Sequence, residues 1–212
     1  VQTCALPIYA FEEGIRDSAV WRKAHNGSMK YYLNHGFVPE GVLPGKDRGA
    51  SLTLEYAYQD WCLAQLSKQL GKKDDYDMLM NRAQNYTHLW NPVNRYMHPR
   101  EEDGSWIRDF KPIADAKTTR GFVEANASIY THFVPHDIAG LVRLFGGNHA
   151  YNNALNHLFE KAKNQGLVAK TKKMHASGWV NYANEPGHAM GHLFNHSGAP
   201  YLTQKWVREV KA

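Results

Sequence analysis

Apolar side chains in this chain return every three or four positions, in paired runs separated by glycine, and that period limits the fold more than any other feature. Leu54, Ala57, Trp61, Ala64 and Leu66 mark one face of residues 51–70, the spacing of an amphipathic helix. Ser51 is placed to cap its start and Gly71 to stop it. Tyr76, Leu79, Met80, Ala83, Tyr86 and Trp90 repeat the pattern over residues 74–90, so the two runs predict a helical hairpin. The plan returns downstream. Residues 122–133 read as helical, Asp137 is placed to cap a helix to Phe145, and Gly146 and Gly147 stop it. Asn148 then caps a run to Asn164 with Tyr151, Leu155, Leu158 and Phe159 inward. Residues 186–195, and a run from Pro200 at a first helical position, make a weaker last pair. A broken helix is expected over residues 11–35, where Gly27 interrupts the spacing.

Strand-like alternation is confined to residues 179–182, so the chain reads as all-α, built from successive helical hairpins. Residues 91–119 resist this reading. They lack periodicity yet carry Arg95, Arg100, Trp106, Arg108 and Phe110; long loops inside compact domains are functional or disordered, and the aromatics favour order. Two cysteines, Cys4 and Cys62, are too few for a disulfide framework, and Cys62 is expected on an apolar face as a small hydrophobe. The first eight residues, VQTCALPI, resemble the translation of a sequencing-adaptor oligonucleotide. Residues 1–8 are therefore set aside as an artefact, and 9–212 are read as one incomplete domain.

Composition removes several function classes. With 43% hydrophobic and 12% aromatic residues the chain belongs with ordered globular proteins. The net charge of +5 is modest and its basic residues are scattered, which gives no nucleic-acid surface. No apolar run reaches the roughly 18 residues of a membrane span. Gly146 and Gly147 end a helix instead of following a strand, so they form no phosphate loop, and no Gly-x-Ser-x-Gly elbow occurs.

Three clusters could carry chemistry. In GFVEANASIY (121–130), Glu124 stands among Phe122, Tyr130 and Phe133. Apolar surroundings raise a carboxyl pKa toward that of a general acid, whereas an acid in a first helical turn also simply complements the helix dipole. In VPHDIAG (134–140), Asp137 is a competent N-cap, and His136 beside it could face a cleft. In NEPGHAMGHLFNH (184–196), His188, His192 and His196 recur every four residues and suggest zinc. Ala189, however, stands where a zincin carries glutamate. A partly buried polar face is the alternative for the histidines, and Asn184 and Glu185 offer the oxygen ligands that calcium prefers.

Taken in order, ASLTLEYAYQDWCLAQLSKQLGK (50–72), DGSW (103–106), GFVEANASIYTHFVPHDIAGLVRLFGG (121–147) and NEPGH with the LFN, GAP and TQ that follow (184–204) resemble glycoside hydrolase family 92, the bacterial calcium-dependent exo-α-mannosidases. The resemblance implies an N-terminal β-sandwich followed by an (α/α)6 toroid, with this chain a partial toroid from its middle. It further implies mannose-containing glycans as substrate, Ca2+ as cofactor and an exported, periplasmic or secreted, parent. An inverting glycosidase sets an acid and a water-activating base about 6.5–9.5 Å apart. Glu124 matches the family's acid, and Asn184 and Glu185 match the segment lining the sugar pocket near calcium, which makes both candidate substrate and metal contacts. His136, Asp137 and His188 lie in the matched stretches as candidate substrate contacts. The family's base belongs to an Asp-rich glycine segment beyond Ala212, so this stretch alone is expected to be inactive. Ala125, Ser128, Ile129, Ala183 and Ala189 depart from the family pattern and leave linkage preference open. Two other readings stand beside this one: a non-catalytic glycan-binding or helical interaction module, and another (α/α)6 carbohydrate enzyme such as a lyase or glucosidase.

Overall fold

The computed structural model describes residues 27–43, 48–113, 120–167 and 178–211. Cys4, the artefact expected at 1–8 and most of the broken helix expected over 11–35 lie outside them. The chain divides into two units, one holding residues up to Leu89 with Pro99–Ile107, the other holding Trp90–His98 and everything from Arg108.

The first unit is the hairpin that the periodicity predicts. Helix α1 (Ser28–His35) precedes α2 (Gly49–Gln69) and α3 (Lys73–Arg82), and a 3-10 turn at Asn85–Leu89 follows. Ala64 and Leu79 meet between α2 and α3, with Leu63, Leu66, Leu70, Tyr76 and Met80 packed around them. The reversal runs through Gly71 at φ 69°, a left-handed conformation that glycine adopts without a Cβ clash. Ser51 does not cap α2. The helix begins two residues earlier, where the Gly49 N–H donates to the Glu40 carboxylate at 3.1 Å, and Ser51 Oγ donates back to Arg48 O. A Cβ on Gly49 would fall 2.4 Å from the Val38 carbonyl, so only glycine allows this close start. Helix α3 ends at Arg82, short of Trp90. The Tyr32 hydroxyl, whose single proton is shared between Asp60 and Arg82 O at 3.1 Å, crowds the acceptor that the next α-helical turn would use, and the chain tightens into 3-10 geometry. Cys62 is exposed, not part of the apolar face.

The same hairpin buries one carboxylate. Asp60 is 3% exposed, accepts from Tyr32 Oη and Arg82 Nε at 2.9 Å each, and pairs through its other oxygen with a second guanidinium nitrogen of Arg82. Burial pushes its carboxyl pKa up, and Arg82 pulls against that shift. Within residues 99–107, the Arg100 guanidinium lies 3.5 Å from the Trp106 ring centroid and donates to His88 O. This part of the long aperiodic segment is ordered by the aromatic and arginine residues that set it apart in sequence.

The second unit opens on a two-stranded antiparallel ribbon, β1 (Trp90–Asn91) with β2 (Tyr96–Met97), in register Trp90↔Met97 and Asn91↔Tyr96. The ribbon qualifies the all-α expectation. Its turn is made by side chains, since Asn91 Oδ1 accepts from Val93 N and Asn94 Oδ1 from Tyr96 N, an Asx geometry that supplies the turn's hydrogen bonds locally. Then come α4 (Ala127–Tyr130), α5 (Ile138–Leu144), α6 (Asn148–Lys163), α7 (Glu185–His188), a 3-10 helix over Met190–Ser197 and α8 (Pro200–Lys211).

Asp137 caps α5 as expected, its Oδ1 accepting from Gly140 N at 2.7 Å, and Gly146 and Gly147 end it at φ 89° and 103°. Asn148 is the first residue of α6, not its cap, and Tyr151, Leu155, Leu158 and Phe159 are buried as the spacing requires. Against Phe159 lie Phe194 and Trp206, with ring centroids 5.9 and 5.0 Å away, and Trp206 Nε1 donates to Asn156 Oδ1. Three expectations change. The helix over 122–133 contracts to α4, that over 186–195 becomes α7 with a 3-10 continuation, and residues 179–182 form no strand.

Candidate active site

The residues singled out for chemistry lie in the second unit, and two of their segments are joined there. Gly121, at φ 88°, turns the chain into GFVE, and Glu124 is itself left-handed at φ 55°. A left-handed residue cannot continue an α-helix, so the helix waits for Asn126, an extended N-cap whose Oδ1 accepts from Ile129 N at 3.2 Å. Glu124 therefore precedes the helix by three residues and does not sit in its first turn. Its side chain is exposed, not enclosed by apolar surroundings. Phe122 instead stacks on Tyr130, with centroids 5.5 Å apart, which fixes the chain on the near side of the glutamate. A non-glycine left-handed residue costs on the order of 1 kcal/mol or more.

The Asn-Glu-Pro segment faces this turn. Asn184 is 4% exposed and extended, and it caps α7 by accepting from Glu185 N at 3.0 Å. Its Nδ2 donates to the backbone carbonyl of Glu124 at 2.9 Å, across 60 residues of sequence. Asn126 Nδ2 donates to Gly178 O at 2.9 Å and Ser128 Oγ to Trp179 O at 2.8 Å. Three polar side chains thus stitch residues 124–128 to residues 178–184. Within the second segment Gly187 lets the chain fold back on itself, since a Cβ there would fall 1.9 Å from Asn181 O. Gly191 N donates to Tyr182 Oη at 2.7 Å, and burial pushes that phenol's pKa up.

Glu124, Asn184 and Glu185 are thus brought together, with Glu185 exposed beside the cap. Asp137 is engaged as the α5 cap, with Arg143 3.9 Å from the same oxygen, and His136 is half-buried just before it. His188, His192 and His196 are all exposed. They do not share one helical face, because α7 ends at His188 and the 3-10 continuation rotates about 120° per residue. In the sequence Ser128 stands out only as a departure from the family pattern, and the side chain of Asn126 does not stand out at all. The cap pattern of Asn126 before a helical turn was the available signal.

Among the described residues, Asn184 and Glu185 would supply part of a calcium shell. Calcium takes about six to eight oxygens. Asn184 Oδ1 accepts a backbone N–H and its Nδ2 is turned to Glu124, and Glu185 is exposed beside it. No group of three or more His, Cys, Asp or Glu residues placed to hold a metal occurs among the described residues. A cavity of about 110 Å³ in the same unit is lined by Arg95, His132, Phe145 and His157 among others, and by none of the predicted site residues. No helix among the described residues is long and apolar enough to cross a membrane.

Residues 8–212 match the glycosyl hydrolase family 92 catalytic domain. A family 92 α-mannosidase of Bacteroides thetaiotaomicron, solved in complex with mannoimidazole, is 31% identical with a TM-score of 0.72, over 86% of this chain and 24% of that one. A family 92 inverting mannosidase from the same organism is 29% identical with a TM-score of 0.72, over 87% and 25%. A curated relative, an uncharacterized secreted glycosidase of Arthroderma benhamiae, is 25% identical over 92% of this chain and 27% of its own length. The chain spans about a quarter of the length of these relatives.

Proposed function

The chain belongs to glycosyl hydrolase family 92, and from that premise we propose that it is part of an exported, inverting α-mannosidase acting on terminal α-mannosides of glycans, with Glu124 as general acid. The observation that carries the reading is the bond from Asn184 Nδ2 to the Glu124 carbonyl at 2.9 Å. It joins the two segments that the family resemblance picks out for acid and sugar contacts, and leaves the Glu124 carboxylate exposed at their junction. Supporting it are solved relatives described as mannosidases, one of them inverting, and a curated relative described as secreted. We take the helices as part of an (α/α)6 toroid that the parent completes.

In this reading Glu124 gives its proton to the glycosidic oxygen as the bond to the anomeric carbon breaks. Water attacks the opposite face of the sugar ring while a general base takes its proton. Asn184, Glu185, His136, Asp137 and His188 are the candidate sugar contacts, of which Asp137 reaches sugar only with an oxygen not spent on its cap. Asn184 and Glu185 are the candidate calcium ligands of this chain, where the ion would stabilise charge and orient the sugar. Hydrolysis by the parent, with and without chelator, tests that dependence.

The central test is Glu124→Gln in the intact protein. A general acid contributes about 10²–10⁴-fold, so kcat on an unactivated mannoside should fall by that order while the thermal transition stays in place. A mannoside with a very acidic leaving group should recover most of the rate. Unchanged turnover on the unactivated substrate removes Glu124 from the acid role.

A further inference from the structure

We propose that Asn184 is the positioning residue of Glu124, an inference that rests on the acid assignment above and adds to it. Three observations converge on its amide. The residue is 4% exposed, so its polar atoms need partners inside the protein. Its Nδ2 meets the Glu124 carbonyl at 2.9 Å. Its Oδ1 meets the Glu185 N–H at 3.0 Å. Turning the amide over would set oxygen against the Glu124 carbonyl and NH2 against the Glu185 N–H, two like-polarity contacts in place of two hydrogen bonds. One orientation is therefore imposed by its surroundings.

The partner of Nδ2 is the feature that gives this a catalytic consequence. Glu124 holds φ 55°, a conformation that a side-chain-bearing residue keeps only where its surroundings over-determine it. Asn184 grips the carbonyl of that residue, so it sets the direction in which the Cα–Cβ bond of Glu124 leaves the backbone. The cap of Asn126, with its second bond to Gly178 O, and the bond of Ser128 to Trp179 O hold the following residues to the same segment. A single amide thus ties the acid-bearing turn to the start of α7, which carries Glu185.

Asparagine is required for this role, and aspartate separates it from the alternatives. An aspartate in its place would keep an oxygen for the α7 cap, where aspartate serves as well as asparagine, and would be a stronger cation ligand than the amide. It has no N–H to give the Glu124 carbonyl. Asn184→Asp in the intact protein is therefore expected to fold with a lowered thermal transition, since its buried carboxylate faces the Glu124 carbonyl. Its kcat on an unactivated mannoside should fall on the order of 10- to 100-fold, the scale of an ångström of misplacement at a reacting group. The loss should shrink on a mannoside with a very acidic leaving group, because protonation then matters less.

Wild-type kcat in Asn184→Asp on the unactivated substrate overturns the proposal and favours a ligand or capping role. Equal losses on both substrates also overturn it, since a defect unrelated to proton delivery would then be responsible. Should the aspartate variant not fold, Asn184→Ser makes the same test, as it keeps an oxygen for the cap and is too short to reach the carbonyl. Glu124→Gln measured beside them separates the two readings. If it keeps full turnover, the acid assignment fails; if it is inactive while Asn184→Asp is wild-type, only the positioning role fails.

Discussion

His132 shows how much one side chain can be made to depend on pH. It is buried between Phe145 and Tyr151, stacked on the first with centroids 5.8 Å apart and with Nδ1 3.2 Å from the hydroxyl of the second. Burial pushes its pKa down to about 3, against about 6.5 in an unfolded chain. The folded state therefore binds fewer protons. The stability this histidine contributes is complete above about pH 6.5 and is lost as pH falls toward about 3, at roughly 1.4 kcal/mol per pH unit. His132→Asn keeps a polar atom for Tyr151 and cannot titrate. Urea unfolding at pH 7, 5.5 and 4.5 should show a shallower pH slope in the variant, set against a cost at pH 7 of about 1–3 kcal/mol for the smaller side chain. An unchanged slope would assign the acid sensitivity to another group. The sequence places His132 two residues beyond GFVEANASIY without marking it as buried, because burial is decided by Phe145 and Tyr151 from farther along the chain.

Among the elements, the α2–α3 hairpin was the most legible, since a 3.6-residue period sustained over five turns leaves little choice of conformation. What the period did not disclose was its polar centre. Asp60 lies on the buried face among alanines and leucines, and its partners Tyr32 and Arg82 come from α1 and α3. Arg82→Leu leaves a buried carboxylate with only Tyr32, and should cost about 3–5 kcal/mol. Combining it with Asp60→Asn, which removes the charge and can still accept from Tyr32, should restore a large part of that loss in denaturant midpoint. Equal midpoints for single and double variants would show that lost packing, not an unpaired charge, sets the cost. The helix ends were less legible for the same reason. Tyr32 reaches Arg82 O from 50 residues away, and Glu40 reaches Gly49 N in place of the local Ser51.

At the scale of the whole molecule, the chain spans about a quarter of the length of its relatives. Proton NMR of the first sugar released from an α-mannoside by the intact protein should show the β-anomer ahead of mutarotation, as single-step displacement by water demands; release of the α-anomer would require a covalent intermediate and sink the inverting mechanism. By itself the sequence determined helical identity, the glycine stops, the cap at Asp137 and the segments GFVE and NEP, because these are local properties of backbone and side chain. Tertiary structure alone decided that Glu124 stands outside its helix in a left-handed turn, that Asn184 holds its carbonyl, and that Asp60 finds an arginine. Those outcomes are hydrogen bonds between residues 22 to 60 positions apart, and such bonds leave no period or motif in the sequence, since either partner is polar for many other reasons and only the fold sets them face to face.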